Sequence, residues 1–294
     1  MPAALLERLL IHPAERREAI LSVIGNARQQ LIFSVFRCDD FPILDALASA
    51  IRRKVRVRAL ITKKAKDWGK RLRELEVLLQ TMGAEVCRYG GEQRKYHAKY
   101  MVADGGPALV TSLNFTRKCF ERTCDFVLVT HDASVVAGLT RLFEADCSSP
   151  DAPLPRTING DLIAGPDFAR PRLVNLLLGA RRSIRIIDHR VTDPEFVSLL
   201  KWRQAQGISV QVLGRHALDG LDSHGKMILV DGTLAAIGSV SLSPPSLNLR
   251  REVAVMVRDS ASIERLRDFF DLHACNAPVQ WIADADSGED DESD

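Results

Sequence analysis

The sequence predicts an α/β protein built as two pseudo-symmetric halves, each a mostly parallel sheet flanked by helices, with a functional site between them. Three observations predict it. Short apolar runs of strand character alternate with helical periodicities along most of the chain. The pattern H-x-K, four residues, Asp occurs twice, as His97-Ala98-Lys99 with Asp104 and as His224-Gly225-Lys226 with Asp231. The residues downstream repeat as well: Ser lies 15 after each His (Ser112, Ser239), a small polar side chain 17 after (Asn114, Ser241) and a carboxylate 28 after (Asp125, Glu252).

The elements follow in order. In the first half a helix is expected over about 14–28, a strand at 31–36, a helix at 41–53, a strand at 55–61, a helix over about 69–82 and a short strand at 84–88. The H-x-K strand, its hairpin partner at 108–112 and a strand at 125–129 come next, and a helix at 133–145 closes the half. The second half repeats this with a helix at 168–179, strand 183–187, helix 194–206, strand 209–213, the second H-x-K hairpin, strand 252–257 and helix 260–272. The stretch SSPDAPLP (148–155) signals a linker. The organisation is therefore 1–147, a linker at 148–160, a second half at 161–283 and an acidic tail at 284–294. The N-terminal MPAALLERLLIHPAERRE has Glu7 and Arg8 inside its apolar stretch, which is no signal-peptide layout. It reads as a short amphipathic helix, a core-packing element with an option of peripheral membrane contact.

The repeated residues have the chemistry of a phosphate half-site. On a strand, residues two apart point the same way, so His and Lys of each H-x-K share one surface. Ser112 with Asn114, and Ser239 with Ser241, form further same-face pairs of neutral donors, while Lys99 and Lys226 supply charge for phosphate oxygens. Two half-sites make a whole one: one histidine serves as nucleophile, the other as acid for the leaving oxygen. Asp125 and Glu252 are the candidates for orienting the imidazole of their own half. Asp104 and Asp231 each precede Gly between apolar runs, so they read as structural residues of a hairpin beside the site.

At these residues the chain resembles the phospholipase D superfamily, whose signature is H-x-K-x4-D with a downstream G-S-x-N. The second copy, HGKMILVD followed by GSVS, keeps Gly238 and Ser239 and has Ser241 where Asn is usual. The first, HAKYMVAD followed by TSLN, keeps Ser112 and Asn114, with Thr111 where Gly is usual and Asp125 where Glu is commoner. The resemblance covers most of residues 12–275. It implies a phosphodiester hydrolase or transferase that works through a phosphohistidine with no metal and no cofactor, His97 as nucleophile and His224 as acid/base. A phospholipid substrate, as in phospholipase D or cardiolipin synthase, is favoured over nucleic acid. The alternatives are a nuclease using the same chemistry and an inactive phosphate-binding module.

Composition sets bounds on this reading. The 294-residue chain has no run of 18 apolar residues, so no transmembrane helix is expected. Six scattered cysteines, with no C-x-x-C pair, fit a reducing cytoplasm. Cys119 and Cys124 near His131 give a weak zinc signal. The tail holds seven acidic residues and no basic one, so the remaining residues carry +9 against +2 for the whole chain. The densest basic stretch is Arg52 to Lys66, and a basic body suits an anionic substrate. Only three Trp and three Tyr are available for base stacking, which disfavours nucleic acid.

The halves differ in one place. Thirty-five residues, a helix among them, separate Ile61 from His97, whereas ten separate Leu213 from His224. The extra structure makes the cleft asymmetric, and Arg94 and Lys95 in its loop are placed to steer an anion. Phe36-Arg37 and Asp188-His189-Arg190 close equivalent first strands of the two halves, and His189 and Arg190 are expected to line the cleft. The loop 243–251 adds Arg250 and Arg251 as candidate phosphate contacts.

Overall fold

The computed structural model describes residues 7–158, 160–214, 217–218 and 220–274. The acidic tail and the first six residues lie outside them. In chain order the elements are β1 (Glu7–Leu10), α1 (Pro13–Asn26), β2 (Gln30–Val35), α2 (Phe41–Arg52), β3 (Arg56–Ile61), α3 (Gly69–Met82), β4 (Glu85–Arg88), β5 (Lys95–Tyr96), β6 (Tyr100–Ala103), β7 (Ala108–Thr111), α4 (Arg117–Arg122), β8 (Thr123–Cys124), β9 (Val127–Thr130) and α5 (Ala133–Ser148). The second series is β10 (Leu162–Ala164), α6 (Ala169–Leu178), β11 (Ser183–Ile187), α7 (Pro194–Ala205), β12 (Ser209–Leu213), β13 (Asp222–Ser223), β14 (Lys226–Val230), β15 (Leu234–Gly238), α8 (Pro244–Leu249), β16 (Arg250–Arg251), β17 (Val253–Val257) and α9 (Ser260–Ala274).

Local chemistry explains the helix starts. Asp40 caps α2 by accepting from the Ile43 N–H, and Asp193 caps α7 by accepting from the Phe196 N–H, each just before a first-turn proline. Asp132 caps α5 by accepting from Ser134 and Val135. α3 ends on Gly83 at φ +103°, a left-handed position that favours glycine.

The helices flank two mixed sheets, with orders β1-β9-β7-β6-β2-β3-β4 and β10-β17-β15-β14-β11-β12. The expectation of mostly parallel sheets fails. Only β2, β3 and β4, joined by helical crossovers, run parallel in the first sheet, and only β11 and β12 do in the second. The H-x-K strands return by tight hairpins, so β2-β6-β7-β9 and β11-β14-β15-β17 are antiparallel ladders.

One core lies between the sheets. It takes Tyr100, Val102 and Val110 from the first, Met227, Leu229 and Ile237 from the second, and the inward faces of α5 and α9. Two further cores lie outside: α1, α2 and α3 cover the first sheet, and α6 and α7 the second. The layers are helix, sheet, helix, sheet, helix.

The segment expected to open with a helix contains the edge strand β1, which pairs antiparallel with β9. Leu9 is buried in the central core and Leu10 in the outer one, one on each face of the sheet, so neither is available to a membrane. Sheet pairing overrides helical periodicity here because an apolar pair one residue apart can be buried on both faces. Among the described residues no helix is long and apolar enough to cross a membrane.

Candidate active site

The H-x-K segments enter their strands rather than occupying them. His97, Ala98 and Lys99 precede β6, and Lys226 is the first residue of β14. The antiparallel register Ser34↔Tyr100 sets His97 off the carboxyl end of β2, with its ring 4.8 Å from that of Phe36. The register Ile187↔Met227 sets His224 off the carboxyl end of β11, stacked on His189 at 6.2 Å. Both lie where open α/β sheets hold ligands.

Two short parallel ladders then join the halves. β5 pairs with β16, and β8 pairs with β13. In the first, Tyr96 is opposite Arg251, so the next residues, His97 and Glu252, are neighbours; the His97 N–H donates to the Arg251 carbonyl at 2.9 Å. In the second, Cys124 is opposite Ser223, so Asp125 and His224 are neighbours. The carboxylates therefore cross over. His97 Nδ1 is 3.0 Å from both carboxylate oxygens of Glu252, and His224 Nδ1 is 2.7 Å from Asp125 Oδ1. Pairing each imidazole with the carboxylate of its own half, as the common offset implies, is corrected by this register.

A compact pocket of about 40 Å³ receives His97, His224, His189, Lys226, Asn114 and Arg250. Ser239, Ser241 and Glu252 also reach it. Lys99 is fully buried, donating to the His97 carbonyl at 2.9 Å and lying 2.8 Å from His97 Nε2. Lys226 likewise donates to the His224 carbonyl. An acceptor carboxylate at Nδ1 requires that nitrogen to carry the hydrogen, which leaves the lone pair on Nε2; Lys99 Nζ lies beside both ring nitrogens, 3.0 Å from Nδ1 and 2.8 Å from Nε2.

The two imidazoles differ electrically. Burial, then the charges of Lys99, Arg250, Lys226 and His224, push His97 well below the ordinary histidine value. Its partner Glu252 is raised by burial, against the opposing pull of Lys99. Asp125 behaves in the opposite way. Burial works to raise it, but the charge and hydrogen bond of His224, with Arg16 and Ser112, hold it at about 2. The carboxylate beside His224 is thus anionic, while His97 is held neutral.

Some residues serve these carboxylates rather than the pocket. Ser112 Oγ donates to Asp125 Oδ1 at 2.6 Å and is fully buried, so it supports the His224 partner and does not line the pocket. Arg16 from α1 is 3.7 Å from Asp125, and Thr123 donates to its other oxygen. Ser246 of α8 donates to Glu252 at 3.2 Å. Ser241 Oγ contacts both oxygens of Asp188 at 3.0 Å, and Asp188 also accepts from Leu242 and Arg190 N–H groups, so it braces the loop after β15. Arg16, Thr123, Asp188 and Ser246 carry no repeat signal. α8 had one local cue, the Ser-Pro-Pro start of its first turn.

The structure separates other candidates. Arg250 reaches the pocket, but Arg251 is fully buried in ion pairs with Asp146 at 2.9 Å and Asp167 at 2.8 Å. Asp104 and Asp231 lie at the far ends of β6 and β14 from the histidines. At φ +53° each, they accept from the N–H groups of Arg28, Gln29 and Gln30, and of Arg181, Arg182 and Ser183. They clamp the entry of β2 and β11 across the hairpin, not beside the site. Cys119 and Cys124 are buried and His131 is exposed; no cluster of three or more His, Cys, Asp or Glu with metal-binding geometry occurs among the described residues.

A family model described as "Cardiolipin synthase, PLD-like domain" matches residues 20–147. It points to the phospholipase D/cardiolipin synthase-like superfamily. No curated protein matches the sequence. Among solved structures, polyphosphate kinase from Porphyromonas gingivalis superposes with a TM-score of 0.75 at 16% identity, over 92% of this chain and 47% of that one. The chain thus spans about half the length of that relative. Phosphatidylserine synthase from Haemophilus influenzae Rd KW20 superposes with a TM-score of 0.73 at 14% identity, over 91% of this chain and 86% of that one. Both likenesses are of fold.

Proposed function

We propose that the protein is a phosphodiesterase of the phospholipase D type, cleaving or transferring a phosphodiester through a phosphohistidine. The carrying observation is that two imidazoles share one pocket, each held at Nδ1 by a carboxylate from the other half. Neutral His97 attacks phosphorus through Nε2 as the bond to the leaving oxygen breaks, and His224 gives that oxygen its proton. His224 then takes a proton from water or an acceptor alcohol, whose oxygen displaces His97 from phosphorus. Lys226, Asn114 and Arg250 neutralise the transferring group, a task that cations and donors perform without a metal, and buried Lys99 adds its charge from beside His97. A phospholipid is the favoured substrate: the described pocket has histidines, Lys226, arginines and an amide for a phosphoryl group, and its Phe36 ring is buried against His97 rather than open to stack on a base.

The test uses bis(4-nitrophenyl) phosphate in EDTA. Nitrophenolate leaves without a general acid, so His224→Ala should still form the adduct and stall before water attack. An acid-labile, alkali-stable phosphoryl adduct on His97 is expected in that variant and none in His97→Ala. Full turnover by either variant would end the proposal. Phosphatidylglycerol vesicles and single-stranded DNA, assayed alongside, choose between lipid and nucleic acid.

A further inference from the structure

We propose that a large basic cavity next to the two-histidine pocket is a second anion subsite, which holds a phosphate carried by the alcohol portion of the substrate or acceptor. This rests on the phosphodiesterase reading above and names the ligand class of its alcohol side.

The histidine pocket, at about 40 Å³, has room for little beyond the reacting phosphoryl group. A cavity of about 490 Å³ adjoins it, and Arg250 lines both. That volume lies in the range of small-molecule sites. Its walls come from the stretch that only the first half possesses, between Ile61 and His97, and from Pro245 and Leu249 of α8. The second half has only ten residues in the corresponding place. The asymmetry between the halves thus produces a chamber on one side of the reacting centre, where an alcohol enters or leaves.

The lining is strongly cationic: Lys63, Lys64, Arg94, Lys95 and Arg250 face one carboxylate, Glu92. Several contacts fix the walls. Arg94 is held by Asp167 at 3.1 Å, the Glu92 N–H donates to Asp151, and Thr62 Oγ1 donates to the Lys64 carbonyl at 3.0 Å. Lys63 and Lys64 are exposed, with no carboxylate partner among the described residues. Ammonium groups on a constrained turn recognise phosphate as a point charge. The rings of Tyr89 and Tyr96 are 2% and 1% exposed and pack on each other at 4.8 Å, so they offer no face for base stacking. A small phosphorylated alcohol, free or as a lipid head group, fits this chamber better than a nucleic-acid strand.

The test is the double variant Lys63→Gln/Lys64→Gln in the full chain, its fold checked by thermal melting. Calorimetry with glycerol 3-phosphate is run on wild type, on the double variant and on His97→Ala. Binding should weaken at least tenfold in the double variant and persist in His97→Ala, with glycerol bound by none of the three. In kinetics, the preference for phosphatidylglycerol phosphate over bis(4-nitrophenyl) phosphate should fall at least tenfold in the double variant. A response to glycerol 3-phosphate identifies the free alcohol as a source; a response only in vesicles identifies the head group. Either supports the subsite. Equal binding and equal preference in wild type and double variant would overturn it, as would tighter competition by single-stranded DNA than by either phosphorylated alcohol. Should wild type fail to turn over bis(4-nitrophenyl) phosphate, the phosphodiesterase reading fails, and calorimetry still decides the subsite.

Discussion

His224 Nδ1 lies 2.7 Å from Oδ1 of Asp125, a residue 99 positions earlier in the chain and in the other half. The pair exists because β8 and β13 align Cys124 with Ser223. Its consequence is that neither half contains a complete His–carboxylate unit. Asp125→Asn removes the charge that stabilises the imidazolium of His224 and disturbs its tautomer. By analogy with the serine-protease triad, a loss in kcat of about 10²- to 10⁴-fold is expected. The deficit should be largest for poor leaving groups, which need the acid. A uniform loss across leaving groups, measured as a Brønsted series of aryl phosphodiesters, would refute the assignment.

The pH profile should carry the signature of His97. A nucleophile must be unprotonated, and burial with Lys99, Arg250, Lys226 and His224 lowers its proton affinity well below that of an ordinary histidine. The free-enzyme acid limb of kcat/KM is therefore expected below pH 6.5, so activity persists through that pH as the solution is acidified. A limb at or above pH 6.5 would mean that His97 is not the base form being titrated.

The repeat marks its candidate residues in the sequence itself. His97, His224, Lys226, Asn114 and Glu252 line one pocket. Partner choice was not legible. It depends on two-residue ladders such as β5 with β16, which are too short to leave a periodicity in sequence. Sheet direction was misread because strands alternating with helices outweighed the hairpin cues Asp104-Gly105 and Asp231-Gly232. The bracing residues Arg16, Asp188 and Ser246 differ from one half to the other, so the repeat gave no pointer to them.

Asp104 and Asp231 make a prediction about stability rather than chemistry. Each satisfies three backbone N–H groups of a neighbouring loop from a left-handed position. Although partial burial works the other way, those bonds hold both carboxyls below the ordinary aspartate value. A lowered folded-state value means that the contribution is complete above about pH 4 and is lost as pH falls through the lowered value. Asp104→Ala and Asp231→Ala should each cost about 2 kcal/mol at neutral pH in urea unfolding. The difference from wild type should shrink as the pH falls below about 4. A kcat loss as deep as that of Asp125→Asn, with stability intact, would place these residues in the chemistry instead.

Gly238 tests how closely the second sheet must pack to hold the site. It stands at the end of β15, opposite Lys226 on one side and Ala254 on the other. A Cβ there would come 2.5 Å from the Ala254 Cα and overlap the Val253 carbonyl. Both are backbone, so neither can rotate away, and Gly238→Ala must part β15 from β17. The next residue, Ser239, accepts from the Val253 N–H at 3.1 Å, directly beside Glu252. Parting the strands therefore disturbs the partner of His97 as well as the core. A loss of about 1–3 kcal/mol is expected, together with impaired turnover. Gly25, inside α1, is the control: nothing lies within 4 Å of its Cβ position, and Gly25→Ala should gain about 0.5–1 kcal/mol from helix propensity alone. Thermal melts of the two variants should move in opposite directions, and a Gly238→Ala protein that melts with wild type would show that the strands can separate at no cost.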